Sequence, residues 1–187
     1  MDFINIIEQV KALLSSDNSG HDFEHTNRVL KTSLFIAKSY PEIDKDIVTL
    51  IALLHDVDDP KIFNTKDNEN ARKILESQNT PQNLINPVIA GINEISFSKN
   101  KDKKPSTIEA QIVQDADRLD AMGAVGIART FAYGASKGRS LESSIEHFHE
   151  KLLLLKDLMN TEIGKTLAKE RHQILLDFLS EYEKETR

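Results

Sequence analysis

Apolar residues recur at spacings of three and four along almost all of this 187-residue sequence. Ile6, Val10 and Leu13 are an example, and such spacing places apolar side chains on one face of an α-helix. The stretch from 43 to 57 is apolar on nearly all sides, which predicts a central, buried helix. The alternating pattern of a half-buried strand is almost absent. We therefore predict an all-α fold.

The periodic segments also predict how the chain is organised. No internal repeat, low-complexity segment or linker divides the sequence, so we expect one domain spanning residues 1–187. Pro41 ends the second segment, and Gly123 marks an expected break. The predicted helices cover residues 3–14, 21–39, 43–57, 67–78, 81–95, 107–120, 121–133, 141–159 and 162–184.

Charge and composition exclude several classes of protein. The chain has 24 basic and 30 acidic residues, a net charge of −6, which argues against a general nucleic-acid binder. It has no cysteine, which excludes disulfides, thiolate metal sites and cysteine nucleophiles. No apolar stretch is long enough to span a membrane, and the first residues do not resemble a signal peptide. We expect a cytoplasmic protein without a membrane or nucleic-acid partner.

Three polar motifs interrupt otherwise apolar helices. His55-Asp56 follows the most apolar segment, where the pair is either a helix-terminal feature or part of a site. His25 lies four residues before Val29 and therefore faces the apolar side of its helix. A third helix carries three carboxylates, which need partners in a core. Two imidazoles and two carboxylates from these helices could share one cation, and that donor set suits Mn²⁺, Fe²⁺, Co²⁺, Ni²⁺ or Zn²⁺. The three carboxylates are Asp115, Asp117 and Asp120.

The order of these motifs resembles that of a known enzyme superfamily. His25, then His55-Asp56, then Asp117 is similar to the H…HD…D signature of the HD-domain metal-dependent phosphohydrolases. The resemblance extends to Leu53-Leu54, to the stretch QDADRLDAMGAVGIART at 114–130 and to the segment beginning at His147. It covers nearly the whole chain and implies an HD-type helical bundle. The most similar branch contains stand-alone bacterial HD proteins, some of them nucleotide pyrophosphohydrolases.

The resemblance implies a metal site with four protein ligands. They are His25, His55, Asp56 and Asp117, the last because the superfamily's final ligand stands in an Ala-Asp-Arg or Ala-Asp-Lys context. Asp115 is the alternative last ligand and otherwise has a supporting role. Binuclear members carry extra histidines after the HD motif, and this sequence has none between His55 and His147. We therefore expect one divalent ion, manganese first, with Mg, Co, Ni, Fe or Zn as alternatives.

The resemblance also implies the reaction and the residues that serve it. We expect a phosphohydrolase acting on a small phosphorylated metabolite, and most specifically a nucleoside or deoxynucleoside triphosphate cleaved to monophosphate and pyrophosphate. The alternatives are a phosphomonoesterase or phosphodiesterase on the same metal, and a regulatory domain that binds nucleotide or metal without turnover. A homodimer is left open. The expected catalytic residues are Asp56, Arg28, Lys61 and Arg118, and the expected substrate-binding residues are Arg129, Lys137 and Lys151.

Overall fold

The computed structural model describes residues 3–15, 22–96, 100 and 103–187, and in that part of the chain every regular element is a helix. The all-α prediction is confirmed. His21, expected to begin the second helix, and part of the lysine-rich segment near residue 100 lie outside the described residues. The elements are α1 (Ile4–Leu14), α2 (Phe23–Ala37), α3 (Lys45–Leu54), α4 (Glu69–Ser77), α5 (Gln82–Ile95), α6 (Ile108–Asp120), α7 (Gly123–Ser136), α8 (Leu141–Glu150), a 3₁₀ helix (Leu152–Leu158) and α9 (Glu162–Glu185).

The chain forms two compact units. The first contains the described residues up to Gln114, and the second begins at Asp115 and runs to Arg187. The boundary falls inside α6. The prediction of one domain over residues 1–187 stays a prediction. Among the described residues, no helix is both long enough and apolar enough to cross a membrane.

In the first unit, α3 is the central helix, as its sequence predicts. All seven residues from Val48 to Leu54 are buried, and α1, α2 and α5 pack around them. Asp44 begins the helix, because its carboxylate accepts hydrogen bonds from the backbone N–H groups of Asp46 and Ile47 at 2.9 and 3.2 Å. The residue that follows α3 is therefore held at one fixed place beside the core.

In the second unit, α7, α8, the 3₁₀ helix and α9 pack together, with Phe131, Phe148 and Phe178 in mutual ring contact. The expected break near Gly123 is present, since Gly123 has φ +67°, a left-handed conformation that favours glycine. The following helix extends to Ser136, three residues beyond the predicted end.

The prediction of one continuous helix over 141–159 is wrong. α8 ends at Glu150, Lys151 leaves helical geometry with φ −134° and ψ −59°, and a 3₁₀ helix follows. Leu152 and Leu155 are both buried. A 3₁₀ helix repeats every three residues and places these two leucines on the same side. Four consecutive leucines fit either helix type, so apolar spacing alone does not distinguish them.

Candidate metal centre

His25 occupies the first turn of α2. The helix begins after Asp22, whose carboxylate accepts a hydrogen bond from the backbone N–H of His25 at 2.9 Å. This is the capping role that the sequence suggests for Asp22. The His25 side chain faces inward on the same side as Val29, and His25 is only 1% exposed. The imidazole is therefore anchored at a helix start and withdrawn from bulk water.

His55 and Asp56 follow the last residue of α3. The Nδ1 atom of His55 lies 2.8 Å from the carbonyl oxygen of Ala52. A carbonyl oxygen can only accept, so Nδ1 carries the proton. In the neutral ring, Nε2 then presents a lone pair. This hydrogen bond fixes both the orientation and the tautomer of the ring, as backbone carbonyls do for histidines that bind metals.

Three donor atoms from these residues form a small triangle. The two Nε2 atoms of His25 and His55 are 3.2 Å apart, and Oδ2 of Asp56 lies 3.3 Å from the first and 3.5 Å from the second. Two atoms each about 2.1 Å from a shared cation lie about 3.0 Å apart at a right angle and about 3.4 Å apart at a tetrahedral angle. The triangle therefore has the dimensions of three ligands of one ion.

The electrostatics of the triangle also favour a bound cation. The lone pair of His55 Nε2 and the carboxylate oxygen of Asp56 are both acceptors, so they repel each other unless a proton or cation lies between them. Both groups are poorly solvated, and Asp56 is only 8% exposed. A buried carboxylate is costly without a compensating positive charge. A divalent cation would compensate all three atoms at once, so the residues fit the ion that the motif implies.

The segment after Asp56 is held by hydrogen bonds to the start of α4. The carboxylate oxygens of Asp58 accept from the backbone N–H groups of Asn70 and Ala71 at 3.0 and 2.9 Å, and the side-chain amide of Asn70 donates to the carbonyl of Val57 at 2.7 Å. Asp58 is thus occupied as a cap of α4. These bonds hold in place the segment that directly follows the His-Asp pair.

Asp115 is a structural residue of the second unit. It is fully buried, and its two oxygens accept four hydrogen bonds of 2.7–2.9 Å from the backbone and side chains of Asn160 and Thr161. Burial raises the pKa of the Asp115 carboxyl, and the four hydrogen bonds oppose that shift. Thr161 in turn caps α9 by accepting from the N–H of Gly164 at 2.9 Å. Asp115 therefore joins α6 to the start of α9.

The other predicted residues of α6 and the nearby cations have distinct surroundings. Asp117 is half-buried on α6. Arg118 is 4% exposed, and its guanidinium donates to the backbone carbonyl of Leu158. Arg28 is half-buried on α2, three residues after His25, and Lys61 is exposed in the turn after the His-Asp pair. The catalytic roles of these residues stay predictions.

The three predicted substrate-binding residues all belong to the second unit. Arg129 forms an ion pair of 2.7 Å with Asp120, Lys137 is exposed with its ammonium 5.7 Å from the ring centre of Tyr133, and Lys151 directly follows the last residue of α8. Arg171 also donates to the carbonyl of Leu119, and burial lowers the pKa of its guanidinium. Arg129 thus has a carboxylate partner within the protein. The substrate-binding roles of Arg129, Lys137 and Lys151 stay predictions.

The first unit contains a polar cleft that the sequence patterns do not predict. It has a volume of about 300 Å³, and its walls include Asp58, Thr65, Asn68, Arg72 and Asn93. These residues belong to a turn and to two helices of ordinary polarity. They do not interrupt an apolar pattern, so the sequence does not mark them as a site. The available signal was the polar run before α4, where two consecutive residues adopt left-handed conformations with φ of 53° and 57°. Such conformations favour Asp and Asn.

Comparison with known proteins agrees with the arrangement of motifs. The sequence profile of the HD domain matches residues 22–122, more than half of the chain. The Bacillus subtilis protein YpgQ is 39% identical over 184 residues, covering 94% of this chain and 89% of YpgQ.

Solved structures show the same similarity. A crystal structure of Bacillus subtilis YpgQ in complex with ADP has a TM-score of 0.81 and 36% identity, covering 96% of this chain and 97% of that one. An HD-superfamily hydrolase from Bacillus thuringiensis has a TM-score of 0.77 and 38% identity, covering 96% and 93%. Both matches extend over both compact units.

Proposed function

The chain belongs to the HD domain family, and on that premise we propose that it is a metal-dependent phosphohydrolase that cleaves a nucleoside or deoxynucleoside triphosphate to monophosphate and pyrophosphate. The observation that carries the proposal is the triangle of His25 Nε2, His55 Nε2 and Asp56 Oδ2, with sides of 3.2–3.5 Å. The complex of YpgQ with ADP supports a nucleotide as the ligand.

The proposed cofactor is one divalent ion, with Mn²⁺ as the first candidate, held by His25, His55, Asp56 and Asp117. Side chains two residues apart on an α-helix project about 200° from each other. Asp115 turns toward Asn160 and Thr161, so Asp117 projects to nearly the opposite side of α6. When bound, the ion would activate water and neutralise charge on phosphoryl oxygens.

The chain's own residues would orient the reactants and offset charge. Asp56, whose Oδ2 belongs to the triangle, would orient the attacking water and accept its proton. Negative charge grows on the leaving pyrophosphate, and nearby cations stabilise it. Arg28, Lys61 and Arg118 are the candidates for this role, and the guanidinium of Arg118 also donates to the Leu158 carbonyl.

The test is a panel of phosphorylated compounds supplied with Mn²⁺, Co²⁺, Ni²⁺, Mg²⁺ or Zn²⁺, with the products identified by mass. We expect a nucleoside triphosphate to yield monophosphate and pyrophosphate. Stepwise release of orthophosphate, or preference for a phosphomonoester or a cyclic nucleotide, would reject pyrophosphohydrolysis and favour another hydrolase on the same metal. Nucleotide binding without any product would identify a regulatory domain.

A pair of histidine variants controls for a contaminating hydrolase. His55→Gln should abolish turnover, because it removes a donor atom of the triangle. His149→Gln changes an exposed histidine of α8 and should leave turnover unchanged. If both variants lose turnover equally, or if neither loses it, the activity does not depend on the triangle.

A further inference from the structure

The polar cleft of the first unit begins two residues after Asp56. Asp58 forms part of its wall, and two peptide units span at most about 7 Å. The cleft is therefore adjacent to the proposed metal centre. Its volume of about 300 Å³ is at the lower end of the range for small-molecule pockets, about 300–1,000 Å³.

One wall carries a buried hydroxyl that no described residue satisfies. Thr65 Oγ1 is shielded from solvent and has no hydrogen-bond partner among the described residues. A buried hydroxyl without a partner costs about 1–3 kcal/mol. Valine at this position would avoid that cost, and a molecule in the cleft that Thr65 lines would supply the missing partner.

A second wall carries a guanidinium that is only partly engaged. Nε of Arg72 donates to the backbone carbonyl of Asp67 at 3.0 Å, which fixes the plane of the group. No other hydrogen bond involves this side chain within the described part of the chain. The amide of Asn68 donates to Oδ1 of Asn93 at 3.0 Å. That bond leaves further donor and acceptor positions on the two amides.

The balance of charge decides which part of a nucleotide suits this cleft. Its lining includes two carboxylates, Asp58 and Asp67, against one guanidinium, Arg72. A polyphosphate carries only acceptors and negative charge, so these carboxylates would repel it. A base and a ribose are neutral and offer both donors and acceptors. They match the mixture of amide, hydroxyl, carboxylate and guanidinium, and Pro60 and Ile89 add apolar surface.

We propose that this cleft receives the nucleoside part of the substrate, with Thr65 and Arg72 as binding residues, while the phosphates extend toward His25, His55 and Asp56. The proposal rests on the proposed function, since it takes the substrate to be a nucleotide. It assigns base and ribose recognition to the turn before α4, to Arg72 on α4 and to the facing side of α5. Specificity would then reside in residues outside the HD motif.

The test is calorimetric titration of the Mn²⁺-loaded protein with ADP and, separately, with inorganic pyrophosphate. Thr65→Val removes the hydroxyl while keeping the shape, and we expect ADP binding to weaken about fivefold, the effect of one neutral hydrogen bond. Arg72→Met should weaken ADP binding at least about tenfold. Pyrophosphate affinity should change less than about twofold in both variants. Lys73→Met, the next residue on α4 and exposed in an ion pair with Glu69, should leave both affinities unchanged.

Several outcomes would overturn the proposal. If Arg72→Met weakens pyrophosphate as much as ADP, the cleft binds phosphate. If both variants bind ADP like the wild type, or the wild type does not bind ADP, the cleft is not a nucleoside site. Thr65→Val should melt at or above the wild-type temperature, because it removes the unsatisfied hydroxyl, so it remains informative if Arg72→Met does not fold. Because the assay measures binding alone, absence of turnover would reject the proposed reaction and leave this result standing.

Discussion

Replacing Asp115 by alanine should destabilise the protein without removing the metal site. The substitution leaves four donors of Asn160 and Thr161 without their acceptor. Thr161 is buried, so its N–H and hydroxyl lose most, whereas Asn160 is half-buried and water can reach it in part. Each buried donor left unsatisfied costs about 1–3 kcal/mol.

The net loss is smaller than the sum of these terms. Burial raises the pKa of the Asp115 carboxyl, so keeping this group ionised in the fold already costs free energy, and the alanine variant escapes that cost. We expect the free energy of unfolding to fall by about 3 kcal/mol. For a chain of this length that corresponds to a fall of about 6–12 °C in melting temperature.

The assay is thermal and urea unfolding followed by circular dichroism, with Asp157→Ala as the matched control. Asp157 is exposed and its ion pair with Lys156 is long, 3.9 Å, so its loss should change stability by less than about 0.5 kcal/mol. Manganese affinity is then measured below the melting temperature. A stable Asp115→Ala variant that no longer binds Mn²⁺ would identify Asp115 as the last ligand and exclude a purely structural role.

Three further changes test other parts of the account. Gly164→Ala should lower the free energy of unfolding by about 2 kcal/mol, measured by urea unfolding, because a Cβ would collide with Asp115 Oδ2 and lie 2.8 Å from Thr161 Oγ1; wild-type stability would contradict this packing. Asp58→Ala should cost about 1–2 kcal/mol in the same assay through loss of the α4 cap, and an unchanged midpoint would show that the cap is unimportant. Lys61→Ala should lower kcat/KM for a nucleoside triphosphate at least about tenfold, or about 1.4 kcal/mol, with Mn²⁺ affinity unchanged; unaltered steady-state kinetics would remove Lys61 from the reaction.

Much of the proposed metal centre follows from the sequence because its residues interrupt strong apolar patterns. His55 and Asp56 directly follow seven buried residues of α3, and His25 lies on the apolar side of α2. A polar group at such a position must be satisfied, so the spacing marks these residues as candidates, and the resemblance to the HD signature implies that they share one ion. The distances among these three residues agree with that prediction.

Other features depend on contacts that spacing does not encode. The sequence leaves Asp115 as an alternative to Asp117, and the hydrogen bonds that Asp115 accepts from Asn160 and Thr161 could not be read from it. The end of α8 at Glu150 falls within a pattern that fits either helix type. The cleft near Thr65 depends on left-handed residues and on helices brought together by folding.

We propose that His25, His55 and Asp56 hold one divalent ion. The most direct measurement is pulsed electron paramagnetic resonance of stoichiometric Mn²⁺ bound to the metal-free protein, which detects nitrogen nuclei coordinated to the ion. We expect one Mn²⁺ per chain with couplings from two imidazole nitrogens. We expect one such coupling, or no binding, in His25→Ala and in His55→Ala, and affinity at least about tenfold weaker in Asp56→Ala with the helical content retained. Mn²⁺ bound without nitrogen coupling in the wild type, or bound identically in Asp56→Ala, would contradict the account.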